Sequence, residues 1–208
     1  MRTLNIDDII DWFNTIRKTP EHQRNKILDA FWHTQINGKW WILDNLNNIL
    51  NTNSIPQNIY IFGGWIGVLS SLILQRSNFH VNKIFSIDLE DSYTNLANMM
   101  CIRHRREKFK AITCDMAIFE YAIEAAPTIV INTSTEHVNQ KTFDDWYDKI
   151  PLGTLVIAQG NNYFSHEEHI RCAESLQEFK QINHVTNPIY EGILPNHMYD
   201  RYMAIWYK

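Results

Sequence analysis

The sequence predicts an α/β protein: a mostly parallel sheet with helices on both faces, preceded by a helical N-terminal extension. Three observations carry this. From residue 58 onward, short apolar runs alternate with helical patterns, as expected of strands buried between helical layers. The first run stops at Gly63-Gly64 and is followed by Gly67 and an apolar helix. The second run ends in Asp88, 21 residues beyond Gly67, which is the spacing of a βαβ nucleotide-binding unit.

Residues 1–54 read as an extension of three helices. Asn5 or Asp7 can cap the first, whose Ile9, Ile10, Phe13 and Ile16 share a face. Pro20 opens a second over residues 21–33, with Ile27, Leu28 and Phe31 inward. Asn37-Gly38 is expected to break it, and a third follows over residues 39–50 until the turn chemistry of residues 51–56. The second region, residues 55–208, holds the sheet. Its strands are expected at 59–62, 83–87, 111–114, 128–132 and 154–158, each an apolar or β-branched run without helical period. Helices are expected at 68–74, 93–103, 117–124 and 143–149. In the last third, a helix at 169–179 is followed by strands at 181–186 and 202–207, with residues 187–199 as an irregular loop. No helix separates those two strands, so they should pair antiparallel.

The formal net charge of −4 argues against a surface that grips nucleic acid over its whole extent. The basic stretch from Arg103 to Lys110 reads as the solvated end of a helix rather than a phosphate patch. No apolar run reaches the ~20 residues of a spanning helix. The first eight residues lack a continuous apolar core and carry acids early, so a signal peptide is not expected and a cytoplasmic protein is the default. The three cysteines, Cys101, Cys114 and Cys172, show no C-x-x-C spacing, so neither a disulfide framework nor a zinc site is indicated. His166 and His169 stand three apart, but Ser165-His-Glu-Glu-His reads as the polar first turns of an exposed helix, and no metal site is expected.

Five strands alternating with helices and then a terminal antiparallel pair resemble the seven-stranded, Rossmann-like class I S-adenosylmethionine-dependent methyltransferases over about residues 39–208. The resemblance assigns Gly63, Gly64, Trp65 and Gly67 to the glycine loop beneath the methionine part of the cofactor. It assigns Asp88, with Leu89 beside it, to the ribose hydroxyls, and Asp115 with the Met116 amide to the adenine. Asn132 and Thr133 begin the motif after the fourth strand, beside the transferring methyl. The helical extension is implied as a partial cap, with Trp40 and Trp41 near the loop. Two positions depart from the pattern: Ile61 replaces the acid that usually precedes the loop, and Trp65 replaces its middle glycine.

Methyl transfer needs an aligned nucleophile and, for many acceptors, a base, so positioning supplies much of the acceleration. Asn132, Glu136 and His137 are the catalytic candidates, an unperturbed imidazole being suited to collecting a proton near neutral pH. The alternative for this stretch is that Ser134 or Thr135 caps the next helix and Glu136 and His137 decorate its first turn. Residues 159–164 add amides and aromatics at the same sheet edge, and Tyr190, His197 and Tyr199 fall in the expected loop that would cover the substrate side. The N-P-P-Y type tetrapeptide of base-methylating enzymes is absent, so nucleic acid is disfavoured and a small polar acceptor favoured. Other readings of the same residues are a nicotinamide-dependent oxidoreductase, a non-catalytic nucleotide-binding subunit, and an enzyme that cleaves the sulfonium cofactor or transfers another of its groups. The residues do not fix the oligomeric state.

Overall fold

The computed structural model describes residues 4–51, 54–121 and 125–208. Its strands are β1 (Gln57–Phe62), β2 (Val81–Asp88), β3 (Phe109–Thr113), β4 (Ile129–Asn132), β5 (Leu155–Asn161), β6 (Tyr190–Pro195) and β7 (Asp200–Tyr207). They form one seven-stranded sheet in the order β3-β2-β1-β4-β5-β7-β6. The pairs β2/β3, β1/β4 and β4/β5 are parallel, and β7 is antiparallel to both β5 and β6. The helices are α1 (Ile6–Lys18), α2 (Glu21–Asp29), α3 (His33–Ile49), α4 (Val68–Arg76), α5 (Asp91–Met100), α6 (Gln140–Lys149) and α7 (Leu176–Ile182). The chain divides into two compact units, residues 1–57 with 64–113, and residues 58–63 with 114–208. Among the described residues, no helix is long and apolar enough to cross a membrane.

In the first unit, α4 is buried nearly all round its first two turns, from Val68 to Ile73. Gly67, at φ +79°, makes that possible: a Cβ there would lie 3.1 Å from Ala97 Cβ of α5. Asn5 caps α1 as expected, accepting from the Asp7 N–H. The face α1 buries is not the apolar one. Asp8, Trp12 and Thr15 are inside, whereas Ile10 and Phe13 are 47% and 68% exposed. Contacts far away in sequence set the orientation: Arg103 Nε donates to Asp11 Oδ2 at 2.6 Å, His104 Nε2 lies 3.3 Å from Asp8 Oδ1, and Trp12 packs on Phe31. The basic stretch is therefore not the end of a helix. It lies in turns after α5 and anchors α1. The break expected at Asn37-Gly38 falls instead at residues 30–32, and α3 runs straight through Gly38, which is buried. A helical glycine costs about 1 kcal/mol relative to alanine, an amount that packing readily offsets.

In the second unit, Phe119, Phe62, Trp146 and Phe143 form an aromatic core with ring centroids 5.1–5.4 Å apart in successive contacts. Pairs of this kind add about 0.5–1.5 kcal/mol each beyond the area they bury. The helix expected over residues 117–124 is a 3-10 turn, Met116–Ile118, and residues 122–124 lie outside the described ones. Phe119 and Tyr121 both point inward, the two-residue period of extended chain rather than of a helix. The C-terminal third also departs from expectation. The helix starts at Leu176, capped by Ser175, and residues 181–186 complete that helix and turn through His184 at φ +55°. The sixth strand lies in the stretch read as a loop. It carries Gly192 and ends at Pro195, residues that edge strands tolerate and central strands do not. The last two strands are antiparallel, as expected, but β7 pairs with residues 190–195 and not with 181–186.

Candidate functional site

The first unit contributes the glycine loop and Asp88. Gly64 N–H donates to Ile87 O at 3.1 Å, and Trp65 N–H donates to Asp88 Oδ2 at 2.8 Å, so the loop is laced to the end of β2. Glu90 N–H donates to the other carboxylate oxygen at 3.3 Å. Burial nonetheless dominates over these bonds and raises the Asp88 carboxyl above its ordinary range. Leu89 is exposed beside it.

Trp65 sits at φ +48°, a left-handed conformation that glycine would adopt without strain. The backbone thus takes a conformation that suits glycine better than tryptophan, while the indole packs against Tyr93 and under the Lys39 ammonium. Trp65→Gly is expected to preserve the loop. Relief of ~1–2 kcal/mol of strain offsets the ~0.4–1 kcal/mol entropy penalty of glycine and the lost ring contacts. The urea midpoint should move little. A loss of about 3 kcal/mol or more, the size of a core truncation, would show that ring packing rather than backbone shape governs the position.

In the second unit, Phe62 pairs with Asn132, so the first glycine and the post-β4 loop leave the sheet side by side. Gly63 is at φ +63°, and a Cβ there would meet Ser134 Cβ at 2.7 Å, so only glycine fits. Thr133 Oγ1 donates to Gly63 O at 3.3 Å. Asn132 is buried; its Oδ1 accepts from Ser134 N–H at 3.0 Å, which shapes the loop. Its Nδ2 faces Met116 Sδ at 4.0 Å. Asp115 is exposed and caps the Met116–Ile118 turn through Ala117 N–H.

Beyond Ser134 the chain makes a second 3-10 turn, Thr135–His137. The next helix is capped by Asn139, so Ser134 and Thr135 are not its caps. Thr135 Oγ1 donates to Gln159 O at 2.7 Å instead, over Gly160, where a Cβ would collide with that hydroxyl and with Phe179. Glu136 is buried. Asn161 Nδ2 donates to its Oε1 at 2.6 Å, while Oε2 accepts no hydrogen bond from the described residues. The Glu136 carbonyl accepts from both Ile170 and Arg171 N–H groups, which brings His169 alongside. His137 is exposed, with its ring centroid 4.8 Å from that of His169. His169 Nδ1 lies 2.9 Å from Tyr163 O, and burial lowers the pKa of this imidazole. Burial and the Glu136 charge push the nearby Cys172 thiol up to about 11.

Residues 163–174 are turns and irregular chain, so the exposed helix expected around His166 and His169 is not there. Tyr190 stands in β6, and Tyr199 stacks on Tyr163 with centroids 5.4 Å apart. Asn161, His169 and Arg171 are the residues that sequence reasoning did not place beside Glu136. The signals present were the amides of residues 159–164 and the paired histidines.

No family model matches the chain, and no curated protein sequence does. The fold does find relatives. NodS, an N-methyltransferase from Bradyrhizobium japonicum, matches with a TM-score of 0.63 over 85% of this chain and 98% of NodS, at 13% identity. The magnesium protoporphyrin IX methyltransferase ChlM from Synechocystis, with bound S-adenosylhomocysteine, gives 0.61 over 96% of this chain and 93% of its own, at 10% identity. An S-adenosylmethionine-dependent methyltransferase from Clostridium acetobutylicum gives 0.61 over 87% and 97%, also at 10% identity. The chain has the class I methyltransferase fold.

Proposed function

We propose that this chain is an S-adenosylmethionine-dependent methyltransferase acting on a small polar acceptor. The observation that carries the reading is Asp88, a half-buried carboxylate at the end of β2 whose burial outweighs the backbone bonds it receives. An ionised carboxylate has about four acceptor positions, and the backbone N–H groups that reach this one, from Trp65, Leu89 and Glu90, leave room for a further donor. The vicinal hydroxyls of a ribose are donors of the kind it still accommodates.

The remaining assignments follow from what each unit presents. Gly64 and Gly67 in one, and Gly63 in the other, allow the backbone to approach the methionine portion. Asp115 and the Met116 N–H offer an acceptor and a donor for the adenine edge, and the exposed Leu89 and Ile118 offer apolar surface for a purine. Asn132 and Thr133 are positioning residues, since their bonds hold the post-β4 loop against Gly63. When bound, the cofactor supplies an activated methyl group. Glu136 and His137 then serve the acceptor, the carboxylate orienting it and the exposed imidazole receiving its proton. Ile61 is fully buried where an acid is usual, so the cofactor's amino group would rely on backbone carbonyls.

Calorimetric titration with S-adenosylmethionine, S-adenosylhomocysteine and NAD tests the cofactor class. Mass spectrometry of the cofactor after incubation with cell extract then separates transfer, which leaves S-adenosylhomocysteine, from cleavage of the sulfonium.

A further inference from the structure

The Glu136 carboxylate raises a separate question. It is 3% exposed, one oxygen is held by Asn161, and the other is buried without a donor among the described residues. A carboxylate left in that state is costly unless a cation or donor completes it. Two imidazoles face it. The potential ligand atoms of Glu136, His137 and His169 all lie within 4.8 Å of one another. We propose that these three residues form a binding site for a borderline divalent cation such as Zn²⁺, Co²⁺ or Fe²⁺.

The surrounding contacts fit this donor set. A hydrogen bond from His169 Nδ1–H to Tyr163 O leaves Nε2 with its lone pair outward, the usual support for a metal-ligating histidine. Asn161 holds the carboxylate through Oε1 and leaves Oε2 without a donor among the described residues. The backbone is fixed as well, because Glu136 O accepts from the two amides that follow His169. Ligand atoms of a tetrahedral site with bonds of about 2.0–2.1 Å stand roughly 3.4 Å apart, so binding draws the three side chains closer than the 4.8 Å span they have without an ion. One carboxylate and two imidazoles favour borderline metals over Mg²⁺ or Ca²⁺, which prefer all-oxygen sites. Three protein ligands leave a position for water or for an acceptor oxygen, so with the ion bound Glu136 and His137 act on the acceptor through it and not as the direct orienting group and base of the metal-free reading.

The test is a Co²⁺ titration of the purified full chain, followed by the visible spectrum and by calorimetry. Wild type is expected to bind one equivalent with the intense absorption of a four- or five-coordinate ion. Glu136→Gln, His137→Ala and His169→Ala should each lower the affinity by about tenfold or more, the loss that even outer-shell changes produce. His80→Ala, an exposed histidine in the other unit, should not change it. His137 is on the surface, so its variant reports binding even if Glu136→Gln fails to fold. Equal Co²⁺ affinity in wild type and His137→Ala, or the weak spectrum of a hexaaqua ion at saturation, would overturn the proposal. S-adenosylhomocysteine titration of the same variants keeps the two readings apart: retained nucleoside binding with no metal binding sinks this one alone.

Discussion

Asp88→Asn is expected to weaken S-adenosylmethionine binding roughly 10- to 100-fold while leaving the fold intact. Loss of a hydrogen bond to a charged group costs about 1.5–3 kcal/mol, and each 1.4 kcal/mol is about tenfold in affinity. The asparagine carbonyl still accepts from Trp65 N–H, so the link between glycine loop and β2 survives. Stability should change in the opposite direction. The Asp88 pKa is raised in the folded protein, chiefly by burial. A group of this sign contributes stability that is fully present below its unfolded pKa and is lost as pH rises through the folded value. At neutral pH the ionised form therefore weighs against folding, and Asp88→Asn should melt no lower than wild type. The same shift makes cofactor binding pH-dependent, since protonation removes the acceptor that the ribose needs. Affinity should fall on acidification through the raised pKa in wild type and stay flat in the variant. Calorimetry at two pH values with parallel thermal melts measures both, and wild-type affinity in Asp88→Asn would remove the ribose assignment.

Arg171→Lys is expected to destabilise the protein by about 3 kcal/mol or more, since hydrogen bonds to charged groups contribute ~1.5–3 kcal/mol each and do not sum fully. The guanidinium is buried, and burial pulls its pKa down to about 10, so it remains cationic at neutral pH. Nε donates to Gln140 Oε1, Nη1 to Thr135 O, and Nη2 to Ile182 O and Asn183 Oδ1, at 2.5–3.1 Å. Its face lies 4.0 Å from the centre of the Phe143 ring. One planar fork thus ties the turn carrying Glu136 to α6 and to the end of α7. A lysine ammonium can neither reach these acceptors together nor stack on the ring. Urea denaturation should show a lower midpoint with an unchanged slope. A loss under about 1 kcal/mol, the scale of a surface pair, would contradict the clamp.

What could be read from the chain, and what could not, divides along the range of the interactions. Strands buried on both faces, such as Ile129–Asn132 and Leu155–Asn161, announce themselves as apolar runs because every side chain meets a helix layer. The turn after β1 was legible from Gly63 and Gly67, both at positive φ, whereas the left-handed φ of Trp65 was not. The edge strand Tyr190–Pro195 was hidden by Gly192 and Pro195, which are turn formers by composition. The orientation of α1 was misread because its buried face is set by contacts far away in sequence, Arg103 and His104 beside Asp11 and Asp8 and Phe31 against Trp12. In the candidate site, Glu136-His137 could be found by its place after β4. His169 could not, because its position depends on two backbone amides reaching the Glu136 carbonyl from more than 30 residues downstream.

The central claim is that the strand ends of this sheet hold an adenosyl sulfonium, and one calorimetric comparison tests it most directly. Wild-type protein should bind S-adenosylmethionine and S-adenosylhomocysteine at a single site and show no heat with NAD. Binding of NAD in their place, or of neither sulfur nucleoside, would contradict it.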